Sequence, residues 1–168
     1  PDGTILRSAW AQAGTKSAKD MTDEAGQRAF EFPGKVPGHE KDFPDLERIN
    51  PAYFRSMDHK MDYLNANGMM PFIEVARRDI GQAWKKFYPW PTSYTRYIQY
   101  VWSRYQANIC LLSPIHLDTA AQSIPPADWN EAANAVIDKF GPPPFGTLAG
   151  TNSNPSSLRN WGHVDKAR

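Results

Sequence analysis

Three short apolar runs constrain this chain more than anything else in it. MMPFIEV (69–75), NICLLSPI (108–115) and FGTLAG (145–150) each have strand length and start about 40 and 36 residues apart. None alternates apolar with polar residues. A strand buried on both faces of a parallel sheet reads this way, so both faces are expected to be covered. Helical periodicity fills the gaps. Asn50-Pro51 supplies an N-cap and a first-turn proline, and Phe54, Met57, Met61 and Leu64 follow at helical spacing, closed by Asn67-Gly68. Ser93 is expected to cap a second helix carrying Tyr97, Ile98, Val101, Trp102 and Tyr105. A third is expected from Pro126, with Trp129, Ala132, Ala133, Val136, Ile137 and Phe140 on one face and Gly141 as its stop.

The connections are asymmetric. Helix-to-strand turns are short (Asn67-Gly68, Gln106-Ala107), whereas strand-to-helix loops are long. In a (β/α)8 barrel the loops after the strands build the functional face, so those grow. Doubly wound sheets also bind ligands at the carboxyl ends of strands, but no glycine-rich phosphate turn follows any of the three runs. A full barrel needs about 250 residues, and this chain has 168. The expected class is therefore α/β: a partial (β/α)8 (TIM) barrel with parallel strands and long strand-to-helix loops. Residues 1–168 are expected to form a single domain cut from a larger barrel. Near the start, TILRSAW (4–10) could be a strand, and 30–45, with three prolines and two glycines, reads as a long irregular loop.

Composition narrows the partners. A net charge of +1 without a basic tract argues against nucleic acid, and no run of about 18 apolar residues exists to cross a membrane. The lone Cys110 lies in an apolar run and reads as a small buried hydrophobe. Six tryptophans suit either a core of large side chains or a cleft with stacking platforms.

The candidate chemistry sits where the runs end. Glu74 is flanked by Phe72, Ile73 and Val75, where an unpaired carboxylate is costly. Arg77 and Arg78 are near enough to pair with it, so it is either a rim ion pair or a catalytic or substrate-binding group. In LLSPIHLDT, strand alternation puts His116 and Asp118 on one side and Leu117 opposite. No second His or Cys pair completes a metal site, so none is expected. A His–Asp pair that orients a substrate hydroxyl and a rim pair that satisfies loop backbone both fit. Asn152 and Ser153 follow the third run and suit sugar hydroxyls or a capped turn. Trp84, Trp90 and Trp161 lie in or near these loops.

The stretch RINPAYFRSMDHKMDYLNANGMMPFIEVARRD, a Trp-rich loop, and a Tyr-rich helix ending SRYQANICLLSPIHLD together resemble the apiosidase-like glycoside hydrolase family. TNSNPSSLRNWGH looks like its next strand and loop, so the resemblance spans roughly residues 45 to 165. It implies a (β/α)8 catalytic domain that cleaves glycosidic bonds in plant or algal polysaccharide side chains through two carboxylates, without a cofactor. Members often carry Gly-Gly-Asp or Gly-Glu where this chain has Ser113, Pro114, Ile115 and His116. Asp118 is the nearest acid there, and the family's second acid looks to lie on a later strand. Asp118 and Glu74 are the expected catalytic candidates, with His116, Arg78 and Asn152 contacting sugar and Trp84 and Trp90 shaping the cleft. The partner is then an oligo- or polysaccharide, met by a secreted or periplasmic parent protein. The alternatives are a non-catalytic carbohydrate-binding protein and an inactive barrel fragment.

An incomplete barrel leaves two open sheet edges, which template association. Residues 1–168 expressed alone are expected to be poorly soluble or oligomeric on size-exclusion chromatography. A monomer with a sharp, cooperative unfolding transition would contradict this.

Overall fold

A computed structural model describes residues 23, 25–31, 45–75, 92–114, 116–117, 126–143, 145–150 and 152–153. The expected strand at 4–10 and most of the 30–45 loop lie outside them. The chain divides into two compact units, Pro1–Gly68 and Met69–Arg168.

The first unit holds β1 (Phe30–Glu31), β2 (Asp45–Ile49) and α1 (Pro51–Ala66). The two strands flank the 30–45 segment and pair antiparallel, with an irregular register between Phe30 and Glu31. Asn50 joins this pair to the helix. Its side-chain oxygen accepts from the Ala52 amide at 3.0 Å, as an N-cap should. Its Nδ2 donates to the Arg28 carbonyl at 2.8 Å, and its own amide donates to Ala29. Phe30, Leu46, Tyr53, Phe54 and Met61 are buried, and Phe30 meets Phe54 edge to face. Gly68, at a φ of 71°, follows the helix in the left-handed conformation that favours glycine. At the surface, Arg48 bridges Glu31 and Asp45; exposed pairs of this kind contribute only about 0–1 kcal/mol.

The second unit runs β3 (Phe72–Glu74), α2 (Thr92–Tyr105), β4 (Leu111–Ser113), β5 (His116–Leu117), α3 (Pro126–Phe140) and β6 (Asn152–Ser153). β3 and β4 are parallel, pairing Phe72 with Leu111, Ile73 with Leu112 and Glu74 with Ser113. On its other side Leu112 bridges Ala149 in parallel: its amide donates to Leu148 and its carbonyl accepts from Gly150. The spatial order of these strands is therefore their order in the chain, without the reversal that defines a doubly wound sheet. Each parallel step needs a crossover, and α2 and α3 are those crossovers.

The buried side of α2 carries Tyr94, Tyr97, Ile98, Val101, Trp102 and Tyr105, a helical stripe. Ala132, Ala133 and Val136 of α3 are buried too. The two helices pack together, near enough for Thr95 Oγ1 to donate to the Ala132 carbonyl at 3.2 Å. Ser93 lies in the first turn of α2 rather than before it, and is buried. Gly141 ends α3 at a φ of 79°, as its position after Phe140 implied.

Two expectations change. Both faces of the sheet were expected to be covered. Instead, Leu112 is 0% exposed and Val75 is buried, while Phe72 is 43% and Leu148 69% exposed. In a pleated parallel sheet, paired residues share a face and the next residue takes the other. Phe72, Leu111 and Leu148 thus fall on one face, exposed at Phe72 and Leu148 but buried further along at Ser113; Ile73, Leu112 and Ala149 fall on the other. The third run also shifts. Residues 145–146 form a turn around Gly146, at a φ of 69°, so pairing starts only at Leu148. Asn152 and Ser153, which the sequence placed after the strand, pair with His116 and Leu117.

Leu112→Ala in the intact protein is expected to cost about 2–5 kcal/mol, because a fully buried leucine leaves a cavity. Phe145→Ala, at a residue 70% exposed, is expected to change stability by less than about 0.5 kcal/mol. Denaturant unfolding followed by circular dichroism checks both.

Candidate functional site

The carboxyl ends of parallel strands carry the polar residues of the sheet. Glu74 closes β3 and stands level with Ser113 at the end of β4, where the Val75 amide donates to the Ser113 carbonyl at 3.3 Å. By the pleat, both lie on the same face as Phe72 and Leu148. A carboxylate beside a hydroxyl offers acceptors and a donor together, which suits a polyhydroxylated ligand. Ser113 is buried and Glu74 half-buried.

Beyond this row the ladder slips. Leu112 bridges Ala149, yet His116 pairs with Asn152 and Leu117 with Ser153. Four steps along one strand face three along the other, so the register on the two sides of Pro114 differs by one residue. The sequence supplies the reason. Pro114 has no amide proton to give to a ladder, and proline in sheets is confined to edges, starts and bulges. Its carbonyl is not wasted: the Tyr94 hydroxyl, in the first turn of α2, donates to it. Tyr94 is wholly buried, and burial pushes its phenol well above the ordinary value.

Cys110, just before β4, is buried as expected and donates to the Tyr105 carbonyl. Burial pushes its thiol up as well. Thr147 Oγ1 donates to the Gln106 carbonyl at 2.7 Å, tying the third run to the end of α2. A cavity of about 250 Å³ lies between the C-terminal parts of α2 and α3, lined by Gln99, Trp102, Gln106, Val136 and Phe140 among others. Those helix ends lead into the amino ends of the strands, away from Glu74.

The expected residues therefore divide. Glu74 is in place at a strand end, and His116 and Asn152 face one another as a backbone pair of adjacent parallel strands. Asp118, Arg78, Trp84 and Trp90 lie outside the described residues. Sequence reasoning missed Ser113 and Tyr94. Ser113 could have been found as the one hydroxyl inside the apolar run LLSPI; nothing local marks Tyr94, which is one of four tyrosines on its helix. Among the described residues no group of three His, Cys, Asp or Glu could hold a metal ion, and no helix is long and apolar enough to cross a membrane.

A mixed α/β unit with a polar row at its strand ends is a common enzyme plan. The family model of the apiosidase-like catalytic domain matches residues 13–142, and this chain belongs to that family. The fold resembles the crystal structure of a candidate glycoside hydrolase from Bacteroides vulgatus, with a TM-score of 0.56 at 18% sequence identity. The match covers 85% of this chain and 27% of that one, so the chain spans about a quarter of its neighbour's length. No curated protein matches.

Burial sets two pH responses. The Cys110 thiol is expected to resist alkylation in the native protein at pH 8 and to react once denaturant is added; mass spectrometry of the adduct checks this. For Tyr94 the folded state holds the proton to higher pH than the unfolded state. Its contribution is complete below the unfolded value of about 10 and is lost as pH rises past it. Unfolding midpoints measured between pH 8 and 11 are expected to begin falling above about pH 8.5, where the Cys110 thiol ionises first in the unfolded chain, and to fall more steeply above about pH 10, with that steeper part smaller in Tyr94→Phe.

Proposed function

We propose that this chain forms part of a (β/α)8 barrel that hydrolyses glycosidic bonds in plant or algal polysaccharide side chains. The observation that carries this reading is the placement of Glu74 and Ser113 side by side at the carboxyl ends of sequentially ordered parallel strands. In a barrel this end bears the active site. Family membership and the glycoside hydrolase neighbour support a carbohydrate as the substrate.

Glu74 is the first carboxylate of the reaction and Asp118 the second. One, protonated, gives its proton to the leaving oxygen. The other, ionised, either attacks the anomeric carbon or activates a water on the opposite face of the sugar. The two must stand about 5–9.5 Å apart. β5 already lies beyond the level of Glu74 and Ser113. The chain after Leu117 therefore has to turn back over Glu74 for Asp118 to serve; otherwise the second acid comes from elsewhere in the whole protein. His116, Arg78 and Asn152 hold sugar hydroxyls, and Trp84 and Trp90 wall the cleft.

A non-catalytic carbohydrate-binding protein is the second reading. It is favoured by Ser-Pro-Ile-His standing where the family often carries an acid.

The test is turnover of oligosaccharides released from branched plant and algal polysaccharides by the intact protein. Glu74→Gln and Asp118→Asn are each expected to lower kcat by about 10²–10⁴-fold, the usual share of an acid or base. Sugar binding by calorimetry without turnover, unchanged in both variants, would favour the binding protein.

A further inference from the structure

Gly150 stands in the third run without either of the usual structural reasons for a glycine. The other described glycines, Gly26, Gly68, Gly141 and Gly146, take φ values of 69–79°, where a side chain is strained. Gly150 lies outside the left-handed range, and a Cβ built on it would meet no atom within 4 Å beyond its chain neighbours. Neither backbone conformation nor close packing excludes a side chain there. A glycine in a strand then marks a place where a ligand or another backbone comes close.

Its place in the sheet favours the ligand. Leu112 bridges Ala149, and the Gly150 amide donates to the Leu112 carbonyl at 2.9 Å. One step further along, Gly150 comes beside Ser113, which is paired with Glu74. By the pleat all three lie on one face, at the carboxyl ends of parallel strands. Two strand spacings, about 10 Å, separate Glu74 from Gly150. Ser113 between them is wholly buried, whereas Glu74 and Gly150 are half-buried. The row thus runs from a carboxylate to bare backbone with space above it.

We propose that Gly150 is the floor of a sugar subsite beside Glu74, where the absence of a side chain leaves room for one ring of the substrate. It is a specificity-determining position. The Gly150 amide is spent on Leu112, so the residue gives no N–H donor to a ligand. What it presents is Cα hydrogens and room. That suits the C–H face of a sugar ring rather than its hydroxyl edge. The polar contact of the row comes from Glu74, whose carboxylate accepts from hydroxyls. The proposal rests on the reading of this strand end as a sugar site and adds which residue sets the room in it.

The experiment uses the intact protein and oligosaccharides released from branched plant and algal polysaccharides. Unfolding midpoint, KM, kcat and sugar affinity by calorimetry are measured in Gly150→Ala and Gly150→Leu. Midpoints are expected to stay at or above the native value, because a side chain meets no strain or collision at this position. KM is expected to rise about tenfold or more in Gly150→Ala and further in Gly150→Leu. Affinity falls in step, and kcat stays nearly unchanged, the mark of lost uniform binding. Phe145→Ala, earlier in the same run, is expected to change none of these. Native KM and affinity in Gly150→Leu, or an equal loss in Phe145→Ala, would overturn the proposal. So would a lowered midpoint in Gly150→Ala, since the glycine would then serve packing. Should Gly150→Leu fail to fold, Gly150→Ala decides on the same measurements. The hydrolase reading fails separately. Weakened sugar binding in the Gly150 variants of a protein without turnover keeps the subsite and removes the chemistry. Lost turnover in Glu74→Gln beside native KM in Gly150→Leu does the reverse. A native protein that neither binds nor cleaves these sugars overturns both.

Discussion

Leu112 is held on both edges. It pairs with Ile73 on one side, while its amide and carbonyl are both taken by residues 148 and 150 on the other. The unit from residue 69 onward is built around that position. Parallel neighbours cannot be joined by tight turns, so each must be reached by a crossover; α2 and α3 follow from this. Both crossovers then have to cover the apolar face that Leu112 and Val75 share. Alanines at 132 and 133 let α3 come close to α2, and Thr95 closes the contact with a hydrogen bond to helix backbone.

Regular pairing would have carried the ladder straight past Ser113. Pro114, with no amide proton to give, stands where the register changes by one residue, and the Tyr94 hydroxyl of α2 donates to its carbonyl. Here the break falls between Ser113 and His116, where a buried β-strand gives way to the end of the sheet. The polar row of Glu74 and Ser113 and the pair of positions 116 and 152 therefore occupy successive levels of the same strand ends.

Much of the fold was legible in the sequence because it rests on local chemistry. Asn50-Pro51, Asn67-Gly68 and Gly141 set helix ends through capping and left-handed backbone, which no distant contact is needed to explain. The stripe from Tyr97 to Tyr105 identified the inward side of α2. Glu74 was legible too, as a carboxylate inside an apolar run. Reading was weaker where an element owes its existence to a partner strand. DLERI (45–49) is polar and carries no strand pattern, yet it pairs with Phe30–Glu31 as β2. Asn152 and Ser153 look like loop residues and become β6 because His116 and Leu117 lie alongside.

The sequence by itself determined the order of the three helices, most of their ends and the parallel pairing of the apolar runs between them. Those follow from hydrophobic period, proline and glycine, each acting within a few residues. Only the tertiary structure decided which strands are neighbours, which sheet face is open, and that residue 116 stands opposite residue 152. The physical reason is that register is a relation between two segments far apart in the chain. A shift of one residue exchanges the two faces while leaving every local preference satisfied. Pro114 marks where such a shift can occur. The hydroxyl of Tyr94, twenty residues earlier, meets the proline's carbonyl only once α2 is folded against the sheet.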